Sequence, residues 1–156
     1  MAKFKVELPT DIIKEMESVY KNTDHIIGEM TRAGAEAVEH NMCSMAPDDI
    51  KPFIKLSKTY KTPSDGGINT KVIISGYLPF SNPARKVFIR SGGSGKKYET
   101  TKGVPVDFLA QLYEYGRSTT PWPKRPFMRK SFKKKEIEEA MLKAQVRASG
   151  GILKDE

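Results

Sequence analysis

The 156 residues hold one cysteine, Cys43, one tryptophan, Trp122, and two histidines, His25 and His40. A lone cysteine excludes an internal disulfide, which points to a reducing compartment or to a fold that stands without a crosslink. It also leaves a zinc site without its usual cysteine pair, and as a nucleophile it would need a neighbouring base. His25 and His40 fall on one expected helix, roughly 22 Å apart along its axis, too far to share a metal within one chain. No run of about 18 apolar residues is present, so no transmembrane helix is expected. The opening MAKFKVELPT is charged early and has no apolar core, unlike a secretory signal. RSGGSGKK, residues 90–97, lacks the G-x-x-x-x-G-K-[ST] spacing of a phosphate loop and no helix pattern follows it. It reads as a hairpin tip whose basic flanks, Arg90, Lys96 and Lys97, are candidates for passing contact with a phosphate backbone. Asp48 and Asp49 follow a helix end, where a turn role is favoured over acid–base work. No cofactor and no metal are expected.

What is present suits an ordinary core. At 38% hydrophobic and 29% charged, the chain is expected to form a single domain over residues 1–156, with 1–8 and 149–156 flexible. The charge is uneven. Residues 9–46 carry seven acids and three bases, net −4, while residues 47–156 carry twenty-two bases and eleven acids, net +11. Such asymmetry favours head-to-tail self-association or an acidic partner as readily as nucleic acid.

The periodicity gives an α+β order. Pro9-Thr10-Asp11 opens a helical pattern in which Ile12, Met16, Val19, Ile26 or Ile27, Met30, Ala33, Ala37 and Met45 keep a 3.6-residue period. The stripe stays in phase across Asn22-Thr23-Asp24, so one long N-terminal helix of roughly 50 Å, or two with Thr23 or Asp24 as a cap, fits equally. Gly34 lies on the stripe and permits close packing. Residues 47–67 read as irregular, with one helical turn near 53–58. Residues 70–78 and 85–91, rich in β-branched and aromatic types, read as strands joined by a turn at 79–83, and residues 97–101 as a weaker third strand. Asp107 caps a short helix with Phe108, Leu109, Leu112 and Tyr113 on one face and Gly116 as its stop. Pro126 suits the first position of a last helix that ends before Gly150-Gly151. The whole is a long N-terminal helix, a small, mainly antiparallel sheet, and a short helix and C-terminal helix packed on it.

One segment stands out. From Tyr113 to Lys135 the chain carries eight lysines and arginines against a single acid, Glu114, with three prolines and five aromatics. Pro121 and Pro123 forbid a helix in the middle. A proline-stiffened loop loses little entropy on docking, and Trp, Tyr and Arg are the usual anchors of protein interfaces. Arg117, Trp122, Lys124, Arg125 and Arg129 are therefore the interface candidates, whereas Tyr113, Phe127 and Phe132 are assigned to the core. Lys133-Lys134-Lys135 is followed by Glu136, Glu138 and Glu139, the pattern of a solvated helix face. No helix-turn-helix, zinc or RNA-binding signature accompanies the bases, so a DNA-binding module is the rival reading.

Glu114-Tyr115-Gly116, a short loop, then Arg125-Pro126-Phe127-Met128-Arg129-Lys130-Ser131-Phe132 resembles the C-terminal signature of a tailed-phage family, the HK-ninety-seven gene-product-ten-like neck and tail-component proteins. The order of elements is similar over nearly the whole chain, and the motif covers about 20 residues. Arg117 stands where that family usually has Thr and Ser131 where Ala is common, and the loop with Trp122 is longer and more basic. In this reading Gly116 releases the backbone, Pro126 opens the next helix, and Phe127 and Met128 fasten it to the core. The resemblance implies a non-enzymatic structural protein of a phage or prophage particle, in the neck or in tail completion, or a tail terminator capping the tube. It implies a ring of copies of this chain, six-fold in the particle, between head–tail connector and tail tube or terminator proteins, near packaged DNA. Assembly in the bacterial host cytoplasm and residence in the virion follow from the same resemblance, with no membrane partner.

Overall fold

The computed structural model describes residues 10–79, 87–90, 97–100, 103–117 and 124–152, with the backbone alone in 87–90 and 97–100. Helices and short antiparallel strands make a mixed α+β chain. In order these are α1 (Thr10–Lys21), α2 (Thr23–Met45), a 3-10 turn (Lys51–Phe53), β1 (Ile54–Leu56), β2 (Tyr60–Lys61), β3 (Ile68–Asn69), β4 (Val72–Ile74), β5 (Tyr77–Leu78), β6 (Val87–Arg90), β7 (Lys97–Thr100), β8 (Val104–Pro105), α3 (Val106–Tyr115), α4 (Met128–Ser131) and α5 (Lys134–Ala148). They pack as two compact units, one of residues 1–37, 58–70 and 134–156, the other of 38–57 and 71–133.

The first unit is helical. Only Asn22 separates α1 from α2, and the turn is held from both sides. Its N–H donates to the Ser18 carbonyl and its own carbonyl accepts from Ile26 N–H at 2.9 Å. Thr23, with Asp24 one of the two candidate caps of a second helix, instead donates its hydroxyl backward to the carbonyls of Val19 and Tyr20, each at 3.0 Å. It closes the end of α1 rather than opening α2. Gly34 behaves as its place on the stripe implies. A Cβ there would stand 3.0 Å from Met141 Cγ and 3.1 Å from its sulfur, so the missing side chain lets α5 approach α2. In the same unit, β2 and β3 form a short antiparallel ladder of two pairs, Tyr60 opposite Asn69 and Lys61 opposite Ile68, and Lys61 pairs with Asp24 of α2 at 2.5 Å.

The second unit holds the other three ladders, each of two antiparallel strands: β1 with β4, β5 with β8, and β6 with β7. The expected strand over residues 70–78 is cut in two at Gly76, whose φ of +144° favours glycine. A Cβ there would overlap the ring of Phe53. The break redirects the chain, so β4 pairs back to β1 while β5 turns to β8. The two expected strands therefore do not form a hairpin with each other; β6 pairs with β7, which follows it closely and costs little loop entropy. The expected turn at 79–83 lies beyond residue 79 outside the described residues. The segment expected to be irregular, residues 47–67, carries β1 and β2, with β3 just after it, and its helical turn sits at 51–53 rather than 53–58. The core gathers Val38, Met42, Ala46, Ile50, Ile54, Val106, Ala110 and Phe127. On α3 the inward residues are Val106, Ala110 and Glu114, one step round the helix from the expected face; Phe108 points out at 43% exposure. Asp107 lies in the first turn without capping it.

Candidate functional site

The expected motif halves meet at a buried carboxylate. Glu114, near the end of α3, is 1% exposed. Its Oε2 accepts the backbone N–H groups of Phe127 at 2.9 Å and Met128 at 3.0 Å. Its Oε1 accepts the backbone N–H of Arg129 at 3.3 Å and the Arg129 Nε–H at 2.7 Å. Those are the orphan donors at the start of α4, and an anion is the acceptor they favour. Burial works to raise the Glu114 carboxyl, but the Arg129 side chain and the three amides outweigh it and hold the group below the usual carboxylate range. The carboxylate is ionised, fully partnered and sealed from solvent.

The residues around this clasp explain why the motif needs its types. Gly116 caps α3 with φ +74°, its N–H donating to the Leu112 carbonyl at 2.8 Å. Pro126 has no N–H to offer, and the three amides that follow it are those Glu114 collects. Helix α4 therefore begins at Met128, with Phe127 at its N-cap, two residues later than expected from Pro126. Phe127 is 1% exposed and anchors that start in the core, as expected; Met128 is half-buried. Ser131 is wholly buried, and its hydroxyl donates to the Met128 carbonyl at 2.6 Å, so a small residue is required and its polarity is satisfied. The expected single last helix is interrupted at Phe132, whose φ −79° and ψ 72° make an inverse γ-turn. Lys133 N–H closes that turn on the Ser131 carbonyl at 2.9 Å. The turn throws the Phe132 ring outward to 66% exposure, which corrects its assignment to the core.

Of the interface candidates, Arg117, Lys124, Arg125 and Arg129 are exposed, and Trp122 lies outside the described residues. Arg125 N–H donates to the Tyr113 carbonyl at 2.8 Å, tying the loop's far end to α3. Asp48 and Asp49 lie in a turn, as expected; the Tyr113 hydroxyl donates to Asp49 at 3.3 Å from far along the chain, and Asp48 pairs with Lys51 at 2.7 Å. The Arg129 guanidinium stands 5.5 Å from the centre of the Tyr115 ring, itself 60% exposed. Arg90 and Lys97 face each other as the last rung of the β6–β7 ladder; Lys96 lies outside the described residues.

Elsewhere the chemistry is sparse. Burial and the nearby Glu39 push the Cys43 thiol up, against a smaller pull from Lys51, which disfavours the reactive thiolate. Among the described residues no three His, Cys, Asp or Glu side chains gather as a metal-binding group, and no helix is long and apolar enough to cross a membrane. An open cleft of about 460 Å³ lies between α2 and α5, lined by His25, Glu29, Arg32, Glu36 and Arg147 with alanines; Arg32 is occupied by Glu36 at 2.9 Å. Sequence reading missed the clasp itself. Its signal was the one acid in an otherwise basic segment. No protein-family model, no curated protein and no solved structure matches this chain.

Proposed function

We propose that this chain is a non-catalytic structural protein of a tailed-phage or prophage particle. It works at the head–tail junction or in tail completion, as a subunit of a ring. The observation that carries the reading is the Glu114 clasp, which joins the two halves of the motif on which the resemblance rests. It fixes both ends of the basic, proline-rich loop while leaving Arg117, Lys124, Arg125 and Arg129 exposed. A surface held in this way is prepared for docking. The tail-terminator station is a variant of the same role.

The exposed Lys124, Arg125, Lys130, Lys133, Lys134 and Lys135 favour DNA binding as the second reading, because lysines and arginines that neutralise phosphates release counterions. Complementation of a null particle separates the two. Docking predicts that Trp122→Ala abolishes joining of heads to tails and that a Lys133/Lys134/Lys135 triple alanine variant leaves it intact. DNA binding predicts the reverse ranking. Labelled protein absent from the neck and tail-top density of assembled particles would overturn the structural role altogether.

A further inference from the structure

Helix α1 buries none of its twelve residues, yet its large apolar side chains share a face. At about 100° per residue, Ile12, Ile13, Met16 and Tyr20 fall within a sector of roughly 100°. They are 47%, 41%, 68% and 84% exposed. The stripe continues into α2 at Ile26, which is buried. Ala148 at the end of α5, with Ser149 and Ile152, surrounds a small cavity against Ser18, Val19, Asn22 and Ile26. The end of α5 thus reaches only the last turn of α1, at Ser18 and Val19, and Ile12, Ile13 and Met16 lie before that turn. A helix this short is marginal in water without tertiary support, and a contiguous apolar face of this kind marks an interaction site. Glu15 and Glu17 lie nearer the edges of the stripe than Lys14 and Lys21 do.

A complementary surface exists on the same chain. The clasp places Arg129 over the exposed Tyr115 ring, and the γ-turn three residues on throws out the Phe132 ring. Lys130 and Lys133, adjacent to Arg129 and Phe132 in the chain, are exposed as well. This is a surface of exposed aromatics with bases nearby in the chain, where α1 is a mainly aliphatic face, with Tyr20 at one end, edged by acids. We propose that α1 of one copy docks on the Tyr115–Arg129–Phe132 surface of a second copy. Aromatic and arginine anchors meet aliphatic side chains, and rim charges of opposite sign set the orientation. The two faces differ, so the contact is heterologous and each added copy offers a fresh face, as ring closure requires. The inference rests on the self-assembling role above and names its contact.

The test uses the full chain with Cys43→Ser. Met16→Cys and Phe132→Cys are introduced in separate copies, mixed and oxidised. The expected product is the mixed disulfide dimer. A dominant Met16→Cys homodimer, meaning α1 paired with α1, would overturn the proposal, as would no crosslinking in any combination. Sedimentation supplies the second arm. Met16→Glu and Phe132→Glu should each weaken self-association at least tenfold with an unchanged melting temperature, since both positions are exposed. Mixed, each variant contributes its intact face, and the pair should form dimers that do not extend. Wild-type self-association unaffected by either change would contradict the contact. These readings come from purified protein. A failed crosslink with the protein present in the particle neck removes only the contact; a mixed crosslink in a protein absent from particles removes only the particle role.

Discussion

Helices α1 and α3 are both amphipathic, of twelve and ten residues, and they meet opposite fates. α1 buries nothing, although its apolar stripe is the more regular. α3 buries Val106, Ala110 and a carboxylate. Periodicity reveals which face of a helix is apolar; it does not reveal what covers that face. A buried charge is more informative, because an ionised carboxylate survives burial only when donors are already aimed at it. Glu114 marks where this chain is fixed, and α1 marks where it is left open.

The sharpest way to break that contrast is to empty the fixed region. Phe127→Ala removes the buried ring beside the clasp and should cost about 3–5 kcal/mol, a large share of the stability of a chain this size. Chemical denaturation measures it, and an unchanged midpoint would mean that the second unit is not organised around Phe127. Glu114→Gln keeps the shape but loses the charge. It should cost about 1.5–3 kcal/mol, the range for hydrogen bonds to charged groups.

The same residue gives a pH signature. Its folded carboxyl titrates below the ordinary range, so its stabilisation is complete above the unfolded value, about 4.3. That stabilisation is lost as pH falls through the lower folded value. Melting temperature between pH 6 and pH 3 should fall more steeply in the native chain than in Glu114→Gln, and parallel curves would contradict the clasp. In the first unit, Gly34→Leu would drive a side chain into Met141 and should cost about 1–3 kcal/mol by overpacking, read by thermal melting. The smallest effect belongs to α1. Met16→Glu should change monomer stability by no more than about 0.5 kcal/mol, because the position is exposed. A loss comparable with Phe127→Ala would show that α1 is covered within its own chain.

Much of this was legible in the residues. The helical stripe located α2, Gly34 announced close packing, Gly116 and Gly150 ended their helices, and Phe127 was read as an anchor. The misses have physical causes. Strands β2, β3 and β8 have two residues each, too few for alternation to register. The cut at Gly76 had a signal, a glycine inside a strand pattern, but its partner Phe53 lies far away in sequence. Phe132 was misplaced because an aromatic in phase with a helix looks inward until the helix breaks. The clasp was hidden for a related reason. Glu114 and the amides of Phe127, Met128 and Arg129 are separated by a loop, and backbone donors leave no mark on composition.

Amide hydrogen exchange at Phe127, Met128 and Arg129, compared between the native chain and Glu114→Gln, tests the clasp most directly. The account predicts slowed exchange at all three amides in the native chain and its selective loss in the variant, with the amides of α2 unchanged. Equal exchange at these positions in both proteins would contradict it.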